Sequence, residues 1–170
     1  MVSLPTFTYH PDPVASGSVV PSDAACESCE RTRGHLYVGP IFGVADIEEL
    51  CPWCIADGSA AARHDLEFTD DGDAALRGVP AEVREEILHR TPGVSTWQSP
   101  RWLTHCGDAA VYLTIAGARE LRSTPGAVDS LVAAGWDETD VDQMRADGDL
   151  SAYLFRCRHC GTGLAYADMS

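Results

Sequence analysis

Apolar and polar positions change rhythm several times along this chain, and each change marks an element. Residues 1–25 carry Pro5, Pro11, Pro13 and Pro21 with no helical or alternating period, so they read as an extended arm lying on the domain. Gly34 to Pro40 is an aromatic and β-branched strand, and Asp46 to Leu50 a short acidic turn. The alanine-rich stretch Ile55 to His64 begins a helix, with His64 and Asp65 capping its end. A polar loop runs from Thr69 to Gly78. Pro80 then opens a second helix: proline suits the first position, Glu82, Glu85 and Glu86 suit the positive end, and Val83, Ile87 and Leu88 form one apolar stripe. Thr91-Pro92-Gly93 stops it.

The second half continues in the same manner. Trp97 to Trp102 is tryptophan-rich, either lining a partner groove or packing beneath a hairpin, and Ala109 to Ile115 reads as a strand. A helix after Thr124-Pro125 is expected to bury Val128, Leu131 and Val132 and to stop at Gly135. Asp137 caps another, which offers Val141 and Met144. The segments Ala152 to Arg156 and Leu164 to Tyr166 are strands around a tight polar turn. Paired short helices suggest DNA reading, but Asp137, Glu138, Asp140 and Asp142 would face the phosphates, which excludes it.

Cysteine changes the picture. Cys26-x-x-Cys29, Cys51-x-x-Cys54 and Cys157-x-x-Cys160 each place two sulfurs where both can turn toward one tetrahedral ion. The first two pairs close a four-thiolate zinc shell, which is structural because it leaves no open position. The order of knuckle, hairpin and a helix whose first turn holds the other two thiols is that of a treble clef. Free N–H groups at that helix start favour thiolate. Strand, knuckle and strand around Cys157 and Cys160 is half of a zinc ribbon, and Gly161 supplies the positive φ that such a knuckle needs. A second site would draw on Cys106, Cys157 and Cys160, with His105, Asp108 or water as its fourth donor. One zinc ion is expected and two are possible.

Composition limits the remaining functions. The chain has 12 basic and 26 acidic residues, a net charge of −14, and 45% hydrophobic residues. Every basic residue is arginine, which with the alanine runs reads as a coding bias rather than chemistry. Ionising all seven thiols around two zinc ions takes the formal charge to about −17. Phosphate backbones and anionic lipid would repel such a chain, whereas a basic partner would be steered toward it. No apolar run approaches about 18 residues and the first residues lack a signal peptide's pattern, so a reducing cytoplasm is expected, where paired cysteines are metal ligands rather than disulfides. No GxSxG, phosphate loop, HExxH or dinucleotide fingerprint is present. No His-x-Glu precedes Cys51-Pro52-Trp53-Cys54, as a deaminase would require. His10 with Asp12 is either a polar site or a rigid turn, and His159 is expected to face solvent.

The expected architecture is a small zinc-stabilised α+β domain with treble-clef-like and zinc-ribbon-like knuckles, short antiparallel strands and several short helices. It would be one compact unit over residues 1–170. Residues 1–68 would hold the arm and first zinc site, and 69–170 the helices and a possible second site built from 105–108 and 157–160.

Taken together, Leu4 to Pro13, the Cys26 knuckle with Tyr37 to Pro40, Cys51 to Ala61, Trp97-Gln98, Trp102 to Cys106 and Tyr153 to Gly161 resemble the colicin-tolerance (CbrC-like) family of small bacterial proteins. The resemblance implies a cytoplasmic protein linked to tolerance of a DNase-type toxin, and implies no particular enzymatic activity. It also implies a further cysteine where this chain has Ala110, so that His105 or Asp108 substitutes or the second site is empty. Two functions follow. One is a non-catalytic zinc protein that binds a basic partner such as a nuclease toxin. The other is a zinc-dependent hydrolase with an open site at Cys106, Cys157 and Cys160 and Asp108 as general base.

Overall fold

A computed structural model describes residues 3–70, 72 and 75–169; residues 71, 73 and 74 of the expected Thr69–Gly78 loop lie outside these. Short helices and small antiparallel sheets alternate, giving an α+β fold with three adjoining apolar clusters. No helix among the described residues is long and apolar enough to cross a membrane.

The first cluster surrounds the first two cysteine pairs. Strand β1 (Val19–Pro21) pairs antiparallel with β2 (His35–Tyr37), Val19 facing Tyr37 and Pro21 facing His35. The proline-rich arm thus contains a strand, which its prolines had hidden: Pro21 sits at a ribbon edge, where a missing N–H costs nothing. The Cys26 knuckle lies inside this ribbon, whereas the expected order put a hairpin after it. Within this cluster β2 is followed, among the described residues, by isolated bridges, Tyr37 with Leu50 and Phe42 with Glu67. The alanine-rich helix is two pieces, α1 (Pro52–Ala56) and α2 (Ser59–His64), broken at Gly58 with φ 76°. Asp65 ends α2 in the left-handed region, with its N–H donated to the Ala61 carbonyl. Cys51, Cys54, Ile55, Ala60 and Ala61 face Leu50, Leu66 and Phe68 in the interior.

The second cluster holds α3 (Ala81–Arg90), which buries Ile87 and Leu88 while Val83 is only partly covered. Leu76, in a single 3-10 turn at Leu76–Gly78, is fully buried, so the end of the polar loop belongs to the core. Strands β3 (Thr104–His105) and β4 (Asp108–Ala109) form a tiny hairpin. Strand β5 (Val111–Ala116) then enters a three-stranded meander with β6 (Leu150–Arg156) and β7 (Gly163–Met169), in the order β5-β6-β7.

Between β5 and β6 three short helices cover the third cluster. Helix α4 (Ala118–Ser123) was not expected; Glu120 reaches back to accept the Gly117 N–H at 3.1 Å and holds its first turn. Helix α5 (Ala127–Ala133) buries Ala127 and Leu131, but Val132 is 48% exposed, because a seven-residue helix has room for one buried stripe only. Asp137 caps α6 (Glu138–Gln143) through the Thr139 and Asp140 N–H groups, and Val141 and Met144 are fully buried.

Candidate metal centres

The first centre gathers Cys26, Cys29, Cys51 and Cys54, whose sulfurs all lie within 4.8 Å of one another. Cys26 Sγ stands 4.0 Å from Cys54 Sγ, and Cys29 Sγ 3.9 Å from Cys51 Sγ. Sulfurs bound at about 2.3 Å around a tetrahedral ion would be about 3.8 Å apart, so the four fit one shell. Local structure explains the fit. The Glu30 N–H closes the first knuckle onto the Cys26 carbonyl at 2.7 Å, with Glu30 itself at φ 59°. Cys51 is the N-cap of α1 and Cys54 lies in its first turn, so the second pair sits where free N–H groups gather; the Cys51 N–H points at Cys26 Sγ, 3.2 Å away. Cys26, Cys51 and Cys54 are buried. A concavity of about 440 Å³ beside Cys29 and Cys54 is lined by Arg31, Arg33 and Arg63 together with Glu30 and Asp57, a net of one positive charge facing the four thiolates.

The second centre gathers His105, Cys106, Cys157 and Cys160, again with all donor atoms within 4.8 Å. Adjacent residues rarely share an ion, yet here a two-residue turn permits it. His105 pairs with Asp108 across the hairpin, and the turn residues Cys106 and Gly107 both have positive φ, 53° and 74°. That is the type I′ pattern, which swings the Cys106 thiol back beside the His105 ring. Nδ1 of His105 is 3.2 Å from Cys106 Sγ and 3.4 Å from Cys160 Sγ, and Cys106 Sγ is 3.9 Å from Cys160 Sγ. The facing tip is a knuckle of the same design as the first. The Gly161 N–H closes onto the Cys157 carbonyl at 3.1 Å, with Gly161 at φ 78° where the first knuckle has Glu30. Cys157 is buried, but Cys106 and Cys160 are exposed, so this centre lies at the surface.

Without a cation the clustered thiols compete for protons. Burial pushes Cys51 and Cys54 up, whereas Cys29 is held low against its burial by the Arg31 N–H and neighbouring thiols. In the second centre desolvation and the other two cysteines raise Cys106 to about 11. Cys157 falls despite burial because the Cys160 and His159 N–H groups face it, and Cys160 falls through the Thr162 hydroxyl and N–H. A bound dication ends this competition by ionising the sulfurs as a set.

Asp108 is not among these donors. Its Oδ1 accepts the Tyr9 hydroxyl and the Ala109 N–H, both at 2.8 Å. Its Oδ2 faces His159 Nε2 at 2.9 Å and Arg158 Nη1 at 3.2 Å. Burial would raise its pKa, but these donors hold the carboxyl below the usual range. Of the fourth donors considered, the imidazole is the one that stands within reach of the three sulfurs, and a carboxylate so fully engaged is no free general base. His159 is exposed as expected, yet it is not idle, because it helps hold Asp108. The signal for that clamp was a buried tyrosine ninety-nine positions away, which spacing alone cannot show.

His10, Asp12 and Trp102 have structural roles. His10 is buried, with Nδ1 2.7 Å from the Pro92 carbonyl and Nε2 2.7 Å from the Ser16 hydroxyl; desolvation lowers its pKa to about 4. The neutral ring therefore donates from Nδ1 and accepts at Nε2. Asp12 instead caps its own turn through the Ala15 N–H. Trp102 packs in the core, its indole N–H donated to the Ala110 carbonyl at 2.9 Å, while Trp97 is exposed.

The chain is 46% identical over 176 residues to the UPF0167 protein Mb2317 of Mycobacterium bovis, covering 98% of this chain and 94% of that protein. It is 39% identical over 166 residues to the UPF0167 protein PA1536 of Pseudomonas aeruginosa, covering 93% of each. No solved structure matches it. The model of the uncharacterised protein family UPF0167 matches residues 4–169, so this chain, with its one centre of four cysteines and its other of three cysteines and a histidine, belongs to that family.

Proposed function

We propose that this chain is a non-catalytic zinc protein whose two ions hold the fold together, and that it acts by binding a basic protein partner. One observation carries the first part: all seven cysteines and His105 fall into two sets of four donors. Sulfur and imidazole in tetrahedral groups suit zinc, and four protein donors leave no position for an activated water. The hydrolase alternative loses both its open position and its base. The net charge of −14 supports the second part, since it favours fast, salt-sensitive association with a cationic surface. Tolerance of a nuclease toxin in the cytoplasm is the reading that the colicin-tolerance resemblance adds.

Native mass spectrometry with elemental analysis tests the metal assignment. Two zinc ions per chain, retained through buffer exchange, are expected; a single ion with an exchangeable water would overturn it. Calorimetric titration against basic nucleases tests the partner. Binding that weakens steeply with salt is expected, and no heat at low salt would refute it.

A further inference from the structure

The strap from Val94 to Trp102 carries two tryptophans with opposite fates. Trp102 lies in the core, but Trp97 is 60% exposed, leaving about 150 Å² of a side chain of about 250 Å² in water. The ring is not on a loose loop. Val94 is buried, the Gln98 N–H donates to Asp168 Oδ2 at 3.1 Å, and the Thr96 hydroxyl donates to the Gln98 carbonyl, so a pinned turn holds the indole outward. Elsewhere the chain covers aromatic faces with its own guanidinium groups: Arg33 over Trp53, Arg101 over Tyr166 and Arg158 over Tyr9, at 5.0 to 5.6 Å. None of the described residues does this for Trp97.

On one side of the indole is a depression of about 530 Å³, with Ile115 and Tyr153 among its floor residues and Asp147 and Asp149 on its rim. Neither rim carboxylate has an ion-pair partner among the described residues, and both are exposed. Asp168 adds negative charge nearby. It is only 5% exposed, pairs with Ser151 across β6 and β7, and therefore shares the sheet face of Ser151 and Tyr153, which line the depression. Its Oδ1 has no hydrogen-bond partner among the described residues, although buried carboxylate oxygens are ordinarily satisfied. On the other side of Trp97 a second depression, of about 640 Å³, runs to Val38 and Phe42.

An indole face and two carboxylates without ion-pair partners among the described residues, with the buried charge of Asp168 close by, form a receptor for an organic cation. We propose that this pocket takes the arginine or lysine side chain of a basic, extended polypeptide segment, with its cationic head between Trp97 and Asp147/Asp149. The two depressions meet at Ser95, Thr96 and Trp97, so the groove is longer than a single small cation needs. A segment crossing the indole would fill both sides, and the charge of the whole chain would steer it there. This rests on the basic-partner reading and names its site.

The test is fluorescence polarisation of a labelled short peptide alternating alanine and arginine against zinc-loaded full-length protein, at low and high salt. Trp97→Ala should weaken binding about tenfold, and Asp147→Asn with Asp149→Asn should do the same while flattening the salt dependence. Asp46→Asn with Glu48→Gln removes equal charge from another loop and should change affinity less than about twofold. Circular dichroism and zinc content should match the wild type in every variant, as expected for exposed positions. If the wild type does not bind the peptide, the basic-partner reading fails. If it binds but Trp97→Ala binds equally well, or the loop variant loses as much as the rim variant, the site assignment fails and only diffuse charge attraction remains. Agmatine binding as tightly as the peptide would overturn the choice of a polypeptide occupant.

Discussion

Replacing Asp108 by asparagine probes the seam between the N-terminal arm and the second metal centre. The carboxylate collects four donors: the Tyr9 hydroxyl and the Ala109 N–H on one oxygen, His159 and Arg158 on the other. Asparagine keeps the volume and one carbonyl acceptor, but removes the charge and turns an NH₂ group toward two donors. The exposed partners contribute little: Arg158 and His159 side chains are 39% and 55% accessible, and water screens such pairs to about 0–1 kcal/mol each. The Tyr9 bond is shielded, since Tyr9 is 2% exposed, and a bond to a buried charge is worth about 1.5–3 kcal/mol. The sum is a loss of about 3 kcal/mol, or about 6–12 °C in Tm for a chain of this length. Tyr9→Phe should cost about 1–2 kcal/mol, and the double variant about 1–2 kcal/mol less than the two losses added. Urea unfolding followed by tryptophan fluorescence in zinc-saturated buffer, with metal content measured in parallel, gives all four values. Additive losses, or an Asp108→Asn cost below about 0.5 kcal/mol, would refute the clamp. If Asp108 were a ligand instead, its variant would lose the second ion while Tyr9→Phe would not couple to it.

Other perturbations have equally definite outcomes. Cys54→Ser should release the first ion and leave the N-terminal half unfolded or insoluble, because metal-binding energy is folding energy there; His159→Ala should shift Tm by no more than about 4 °C, and equal melting points would contradict the assignment. His10 is buried neutral, with its pKa lowered to about 4, so the unfolded chain binds a proton that the folded chain refuses. Stability should therefore fall as pH drops from about 6.5 toward 4, by up to about 3 kcal/mol, and His10→Gln should lose that part of the profile; parallel wild-type and variant profiles would refute it. Gly93→Ala should cost about 3 kcal/mol by thermal melting, because the added Cβ would stand 1.8 Å from the Phe68 carbonyl oxygen and 2.9 Å from the Tyr37 hydroxyl; a wild-type Tm would show that the backbone yields.

Features set by neighbouring residues were legible in the sequence. The three CxxC spacings, the glycine after Cys160, the Pro80 helix with its Ile87 and Leu88 stripe, and the Asp137 cap all depend on interactions within a few positions. Features set across the chain were not. The arm's strand exists only because β2 lies beside it, and Leu76 is core only because the second cluster closes over it. At the second centre, choosing His105 over Asp108 required knowing that Tyr9 and Arg158 already engage the carboxylate. The knuckle around Cys26 concealed its turn for another reason: Glu30 occupies the left-handed position that glycine advertises at Gly161.

The span between Tyr9 and its partners sets an order of events during synthesis. The Tyr9 carbonyl accepts the Tyr112 N–H, its hydroxyl meets Asp108, and its ring receives Arg158, 149 residues downstream. Tyr9 leaves the ribosome well before any of these partners and is thus late to find its place. The half that gathers the first four cysteines can assemble on the translating chain, while the arm's inner end waits for the β6–β7 hairpin to emerge before the fold locks.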